Sequence, residues 1–77
     1  MERSIELRLF ASLQRFIPNP EGRCPITPPT RIRDIVERLG IPVEEAKLIF
    51  VDGRRGDLNT VLNGGERVGI FPPVGGG

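Results

Sequence analysis

One stretch of this chain holds its apolar residues at a sustained helical spacing. Ile32, Ile35, Val36 and Leu39 fall at i, i+3, i+4 and i+7, and Arg33, Asp34, Glu37 and Arg38 take the opposite side. Thr30 has the chemistry of an N-cap, although no acidic residue follows three positions later to complete a capping box. Gly40 and then Pro42 stop the pattern. A helix with one apolar stripe has to bury it against another layer, and the flanking sequence offers strands.

Ile5-Glu6-Leu7-Arg8-Leu9 alternates apolar and charged residues, so Ile5, Leu7 and Leu9 are expected to face the core. Phe10 breaks that rhythm. Leu13, Phe16 and Ile17 then suit a short helix, ended by Pro18-Asn19-Pro20-Glu21-Gly22. Arg23 to Thr27 reads as a short strand confined by Pro25 to a sheet edge. Leu48 to Val51 is apolar on both faces and reads as a central strand before the turn dipeptide Asp52-Gly53. Leu58, Val61 and Leu62 suit a short strand or turn. After Asn63-Gly64-Gly65, Arg67 to Phe71 returns to strand, with Val68 and Ile70 inward and Gly69 and Phe71 outward. Pro72-Pro73 cannot donate to a ladder and ends the sheet. The expectation is an α+β fold: a mixed sheet of four to five strands with one main helix on one face. Residues 1–73 form the domain and 74–77 a flexible tail.

The composition excludes most chemistry. Seventy-seven residues build one small core and no deep cleft. Eleven basic residues, ten of them Arg and one Lys47, nearly balance ten acidic ones, and no basic run marks a nucleic-acid binder. There is no histidine, and Cys24 is the only cysteine. A Cys-His zinc site, a His-dependent nucleophile and an internal disulfide are therefore all unavailable to a single chain. No apolar run approaches bilayer length. These features lead us to expect a soluble cytoplasmic protein with no membrane and no bound metal or cofactor.

What stands out is the ending, Val74-Gly75-Gly76-Gly77 directly after Phe71-Pro72-Pro73. Glycine lacks a Cβ, so such a run can thread a narrow channel and bring backbone close to a reactive centre. The tail has no side-chain chemistry, which leaves the α-carboxylate of Gly77 as its reactive group. A frayed terminus is the plain alternative.

The whole pattern resembles the β-grasp, ubiquitin-like sulfur carriers of the MoaD/ThiS family. The resemblance is carried by Phe10-Ala11-Ser12-Leu13, Arg33-Asp34-Ile35, Val51-Asp52-Gly53-Arg54, Leu62-Asn63-Gly64-Gly65-Glu66-Arg67-Val68 and, most specifically, Phe71-Pro72-Pro73-Val74-Gly75-Gly76-Gly77. It implies that the chain is not an enzyme. An ATP-dependent, ubiquitin-activating-type adenylyltransferase (MoaB/MoeB/ThiF-like) would adenylate the Gly77 carboxylate, with Gly76 giving access. Sulfur would then replace AMP, and a partner synthase would consume the thiocarboxylate. The Phe-Pro-Pro-Val ending resembles the molybdopterin-synthase small subunit more than the thiamine carrier. That implies molybdopterin (molybdenum or tungsten cofactor) biosynthesis with a MoaE-like large subunit as partner; the alternatives are a thiazole synthase in thiamine synthesis, or cysteine synthesis. Gly75 stands where many molybdopterin carriers have a small polar residue.

Four extended residues, Val74 to Gly77, span about 13 Å, enough to enter a partner while the body stays outside. Pro72 and Pro73 stiffen the base of that arm. Period two directs Phe71, Phe50 and Leu48 to the open sheet face, where partner contact is the favoured reading for Phe71 over an incidental exposed apolar group. Arg54, Arg55 and Arg67 are candidates for steering toward an acidic groove, although each taken singly reads as a solvated arginine. Cys24 reads as a small packed residue at the edge strand. Two other functions fit the same ending: a ubiquitin-like modifier joined through Gly77 to lysines, with Lys47 its only internal acceptor side chain, and an interaction domain with an inert tail.

Overall fold

The computed structural model describes residues 3–73. Strand β1 (Arg3–Leu9) comes first, and a short 3-10 helix (Ala11–Phe16) follows it. Then come β2 (Arg23–Ile26), β3 (Thr30–Arg31) and the helix α1 (Ile32–Leu39). A 3-10 turn at Val43–Glu45 leads to β4 (Leu48–Val51), β5 (Arg54–Gly56), β6 (Val61–Leu62) and β7 (Arg67–Phe71). Five strands form one mixed sheet in the order β2-β1-β7-β4-β5, and β3 and β6 make a separate two-stranded ladder. β1 and β7 run parallel; every other neighbour is antiparallel.

This layout follows from the alternation in the sequence. Ile5, Leu7 and Leu9 of β1, Val68 and Ile70 of β7, and Ile49 of β4 all turn to one face, where they meet Ile32, Ile35 and Val36 of α1. Each is buried, which makes a side chain of this kind worth about 1.5–3 kcal/mol relative to its exposed state. Phe16, Ile17, Leu39, Val51 and Leu58 pack at the margins of this core. β2 lies at the sheet edge, as Pro25 requires, and Cys24 is buried beside it. The Arg38 guanidinium reaches back from α1 to donate to the Pro25 carbonyl at 2.7 Å, and it also contacts the Cys24 sulfur.

One expectation is corrected, the N-cap of α1, and two local features are sharpened or added. The segment after β1 is a 3-10 helix that buries only Leu13, because the turn at Pro18 leaves too few residues for an α-helix with a full apolar stripe. The N-cap of α1 is Arg31, not Thr30. Thr30 instead pairs with Leu62 in the β3–β6 ladder, and its hydroxyl donates to the Thr27 carbonyl at 2.7 Å. Counted from Arg31, an acidic residue does stand three positions on: the Asp34 carboxylate accepts the Arg31 N–H at 3.0 Å. Lastly, Arg54–Gly56 forms a strand, completing a hairpin with β4 through Asp52-Gly53.

The start of α1 is supported from outside the helix. Its first N–H groups have no acceptor within the helix. Ile32 donates to the Thr60 carbonyl at 3.1 Å and Arg33 to the Leu58 carbonyl at 2.9 Å. The loop before β6 therefore acts as a backbone cap, and the short ladder of β3 and β6 holds it in place. No helix among the described residues is long and apolar enough to cross a membrane.

Candidate partner-docking face and tail root

The helix covers one face of the five-stranded sheet. Strand register gives the layout of the other. In the first row Arg23 of β2 lies beside Glu6 of β1, which lies beside Arg67 of β7. In the next row Arg8 of β1 neighbours Gly69 of β7, which faces Phe50 of β4 and, beyond it, Arg55 of β5. In the third row Phe71 of β7 pairs with Leu48 of β4. Phe10, one residue past the end of β1, completes that row.

These residues make an aromatic platform. The rings of Phe10 and Phe71 stack with centroids 4.1 Å apart and planes within 1°. Phe50 meets Phe71 edge-on at 6.0 Å and 84°. Gly69 forms the floor between them: a Cβ built there would lie 3.4 Å from the Phe10 ring edge and 4.0 Å from that of Phe71. Phe10, Leu48, Phe50 and Phe71 are each half-buried, so the platform presents apolar surface to solvent while its rings are held by one another.

Arginine surrounds the platform. Arg8, Arg55, Arg67 and Arg23 are exposed on this face, and the carboxylate among them belongs to Glu6. It receives Arg8 at 3.2 Å and Arg67 at 3.9 Å. Arg54 pairs with Val51 and so falls on the opposite side of β5 from Arg55.

The last residues of β7 are fixed on both flanks. The Phe10 N–H donates to the Ile70 carbonyl at 3.1 Å, and the Lys47 N–H donates to the Phe71 carbonyl at 3.0 Å. Pro72 and Pro73 follow with no N–H to extend the ladder. The point where the chain leaves the sheet is therefore pinned at Phe71, against the aromatic platform. The expected site residues Val74, Gly75, Gly76 and Gly77 lie outside the described residues.

The structure brings Phe71, Phe50 and Leu48 together on one face, as period two implies, with Pro72 and Pro73 leading away from it. Phe10 and Arg8, not named from sequence as contact residues, join them. The signal was present: extending the β1 alternation by one step beyond Leu9 puts Phe10 on the outer face with Arg8. Among the described residues no group of three or more His, Cys, Asp and Glu is placed to hold a metal. The face is suited to binding.

A protein-family model described as Mut7-C ubiquitin matches residues 2–75. The chain belongs to this ubiquitin family. No curated protein matches it in sequence. Among solved structures, a Haloferax volcanii protein determined in solution superposes with a TM-score of 0.77 at 22% identity, covering 99% of this chain and 88% of the other. A Pyrococcus furiosus protein assigned as molybdopterin converting factor subunit 1 gives 0.70 at 24% identity, covering 94% and 99%. SAMP1 from Haloferax volcanii gives 0.68 at 23% identity, covering 96% and 99%. At these identities the likeness establishes a shared fold: a β-grasp, ubiquitin-like domain, as the resemblance to MoaD/ThiS carriers implied. The aromatic platform of this Mut7-C ubiquitin domain lies on the sheet face that its helix leaves open.

Proposed function

We propose that this protein is a sulfur carrier whose Gly77 carboxylate is adenylated by an ATP-dependent, ubiquitin-activating-type enzyme and converted to a thiocarboxylate. The observation that carries this reading is the anchoring of Phe71. A carrier must hand a short reactive arm to another protein's active site, and here the arm's root is clamped by two backbone hydrogen bonds beside an exposed apolar platform. A fixed root with a docking face next to it confines the search that the arm makes for its target, which lowers the entropy lost on engagement.

The chemistry follows from the tail's composition. A carboxylate is a poor acyl donor, and adenylation gives it a leaving group. Attack of a sulfide-level sulfur on the Gly77 carbonyl carbon forms the C–S bond and expels AMP, and the resulting thiocarboxylate is a nucleophilic sulfur source for a synthase that supplies the remaining groups. The chain itself acts as co-substrate and binds no cofactor. The Pyrococcus furiosus neighbour assigned to molybdopterin conversion favours molybdopterin biosynthesis, with a MoaE-like subunit receiving the arm through Phe71, Pro72, Pro73, Val74 and Gly75.

A second reading is favoured by the modifier neighbours, SAMP1 from Haloferax volcanii and the small archaeal modifier protein 1 from Methanosarcina acetivorans. In it, Gly77 is joined to lysines of other proteins. One experiment separates the two. Protein purified from its own cells is measured by intact mass, and the same extract is digested and searched for glycine remnants on lysine. An oxygen-to-sulfur mass gain on Gly77 is expected. Remnants on many proteins, with no thiocarboxylate, would replace the carrier reading with the modifier one.

A further inference from the structure

Ten of the eleven basic side chains are arginine, and Lys47 is the one lysine. A guanidinium stays protonated and does not attack an acyl carbon, whereas a lysine amine does once its proton has left. The chain therefore holds two side chains more nucleophilic than a hydroxyl, Cys24 and Lys47. Cys24 is 1% exposed in the core. Lys47 is exposed and has no ion-pair partner among the described residues.

The fold sets Lys47 at the tail root. It immediately precedes β4, and its N–H donates to the Phe71 carbonyl at 3.0 Å. Six residues follow that carbonyl. Pro72 and Pro73 carry the chain out by about 7 Å, and Val74 to Gly77 can span about 13 Å more. The second stretch is the longer and holds three glycines, so the Gly77 carbonyl carbon can come back to an amine on a flexible four-carbon stem beside Phe71. The α-amine is approached from the opposite end of β1. Leu9 is in register with Ile70, which leaves Arg3 about 20 Å back along the strand.

We propose that Lys47 is an internal acceptor for the activated tail: its Nζ attacks the Gly77 carbonyl carbon and closes an isopeptide bond within one chain. The inference rests on the carrier reading for activation of Gly77 by ATP. The Nζ–C bond forms as the C–O bond to AMP breaks, AMP leaves with the electron pair, and the proton on nitrogen passes to solvent. Nothing is oxidised or reduced. A short flexible tether presents its end at an effective concentration of about millimolar, so closure competes with the amines of other proteins. Sulfur captures the adenylate when its donor is at hand, and Lys47 captures it when the donor is lacking. The closed chain has neither a carboxylate nor a leaving group, which takes it out of the transfer cycle without acylating other proteins.

The test activates the tail with no partner present. The full-length chain is released from an intein fusion as a Gly77 thioester, in which a thiol stands in for AMP as leaving group. Intact mass then follows the products at several protein concentrations. A monomer one water lighter than the carboxylate form is expected, at a rate independent of protein concentration. Tryptic digestion should give one branched peptide that joins residues 39–54, through Lys47, to residues 68–77. Lys47→Arg keeps the charge and should give hydrolysed chain alone. Lys47→Arg combined with Arg3→Lys moves the lysine to the far end of β1 and should slow closure by about tenfold or more. Denaturation midpoints confirm that the variants fold. Hydrolysis alone in the wild type, a rate that rises with concentration, closure in Lys47→Arg, or equal closure in the double variant would overturn the proposal. Each would leave the carrier reading standing, since no adenylyltransferase takes part. Closure of the thioester, with neither AMP nor sulfur ever found on Gly77 in the cell's own protein, would sink the carrier reading and leave the reactivity of Lys47 in place.

Discussion

The ring of Phe10 lies flat against the ring of Phe71, at 4.1 Å and 1°. The two residues come from opposite ends of the chain and meet because β1 and β7 run parallel at the centre of the sheet. The Phe10 N–H also holds the Ile70 carbonyl, so one residue supports the tail root with both its side chain and its backbone. Replacing Phe10 by Ala removes half-buried aromatic area and the stacking contact, at an expected cost of about 1.5–2.5 kcal/mol. Phe10→Leu should recover about half of it. Urea denaturation of the three proteins measures this directly, and a cost below about 0.5 kcal/mol for the alanine variant would show that the stack is incidental.

Gly69 separates a folding effect from a docking effect. An alanine Cβ there would touch the Phe10 ring edge at 3.4 Å, while removing a strand glycine is itself favourable by about 0.5–1 kcal/mol. The expected net change in stability is under about 1 kcal/mol. Gly69→Glu places a carboxylate in the middle of the platform, next to Arg8, and is expected to leave the fold intact while reducing binding to the activating enzyme at least tenfold. Unchanged affinity in a folded Gly69→Glu protein would move the docking site elsewhere.

Gly22 closes the turn into β2 in left-handed backbone, at φ +74°. Its carbonyl accepts the Leu7 N–H at 2.6 Å, and a Cβ at this position would strike the Leu7 carbonyl oxygen. Gly22→Ala therefore meets both a backbone clash and an unfavourable φ. The expected loss is about 2–4 kcal/mol, enough to unfold a large fraction of so small a domain near its melting point. Thermal unfolding followed by circular dichroism checks it.

Asp52 occupies the first position of the β4–β5 turn at φ +52°, and its carboxylate accepts the Arg67 N–H at 2.9 Å, tying that turn to β7. Asn tolerates this backbone conformation and keeps an acceptor oxygen, so Asp52→Asn should lie within about 0.5 kcal/mol of wild type. Asp52→Ala loses both and should cost about 1–2 kcal/mol. Equal stability of the two variants would assign the residue's role to something other than the hydrogen bond.

Removing Gly76 and Gly77 should leave the unfolding midpoint within about 0.5 kcal/mol of wild type, because the described core is complete without them. The same truncation should abolish sulfur transfer in a reconstituted system. Retained pathway function in the truncated protein would favour an interaction domain with an inert tail.

Period two and the helical stripe made most of the core legible. Ile5, Leu7, Leu9, Ile32, Ile35, Val36, Val68 and Ile70 were all placed inward and all are buried. The outward trio Leu48, Phe50 and Phe71 was legible for the same reason, since alternation is a local property that survives any strand order. The cap of α1 was not. Thr30 satisfied the local rule, but a two-residue ladder with Leu62 drew it into strand geometry and moved the helix start by one residue. β5 was hidden as well. Arg54-Arg55-Gly56 has no strand signature, and it is extended because Asp52-Gly53 folds it back onto β4.

By itself the sequence determined the class of fold, the buried face of most strands and which catalytic chemistries a single chain cannot perform, because those depend on residue spacing and on which functional groups the chain contains. It lacks histidine and has one cysteine, so no tertiary arrangement could give a single chain a His-based catalytic site. What the tertiary structure alone decided is which distant residues share a face. Parallel pairing of β1 with β7 stacks Phe10 on Phe71 and sets Glu6 against Arg67. The pairing partner of a strand is fixed by packing of the whole core beneath it, and no local pattern encodes it.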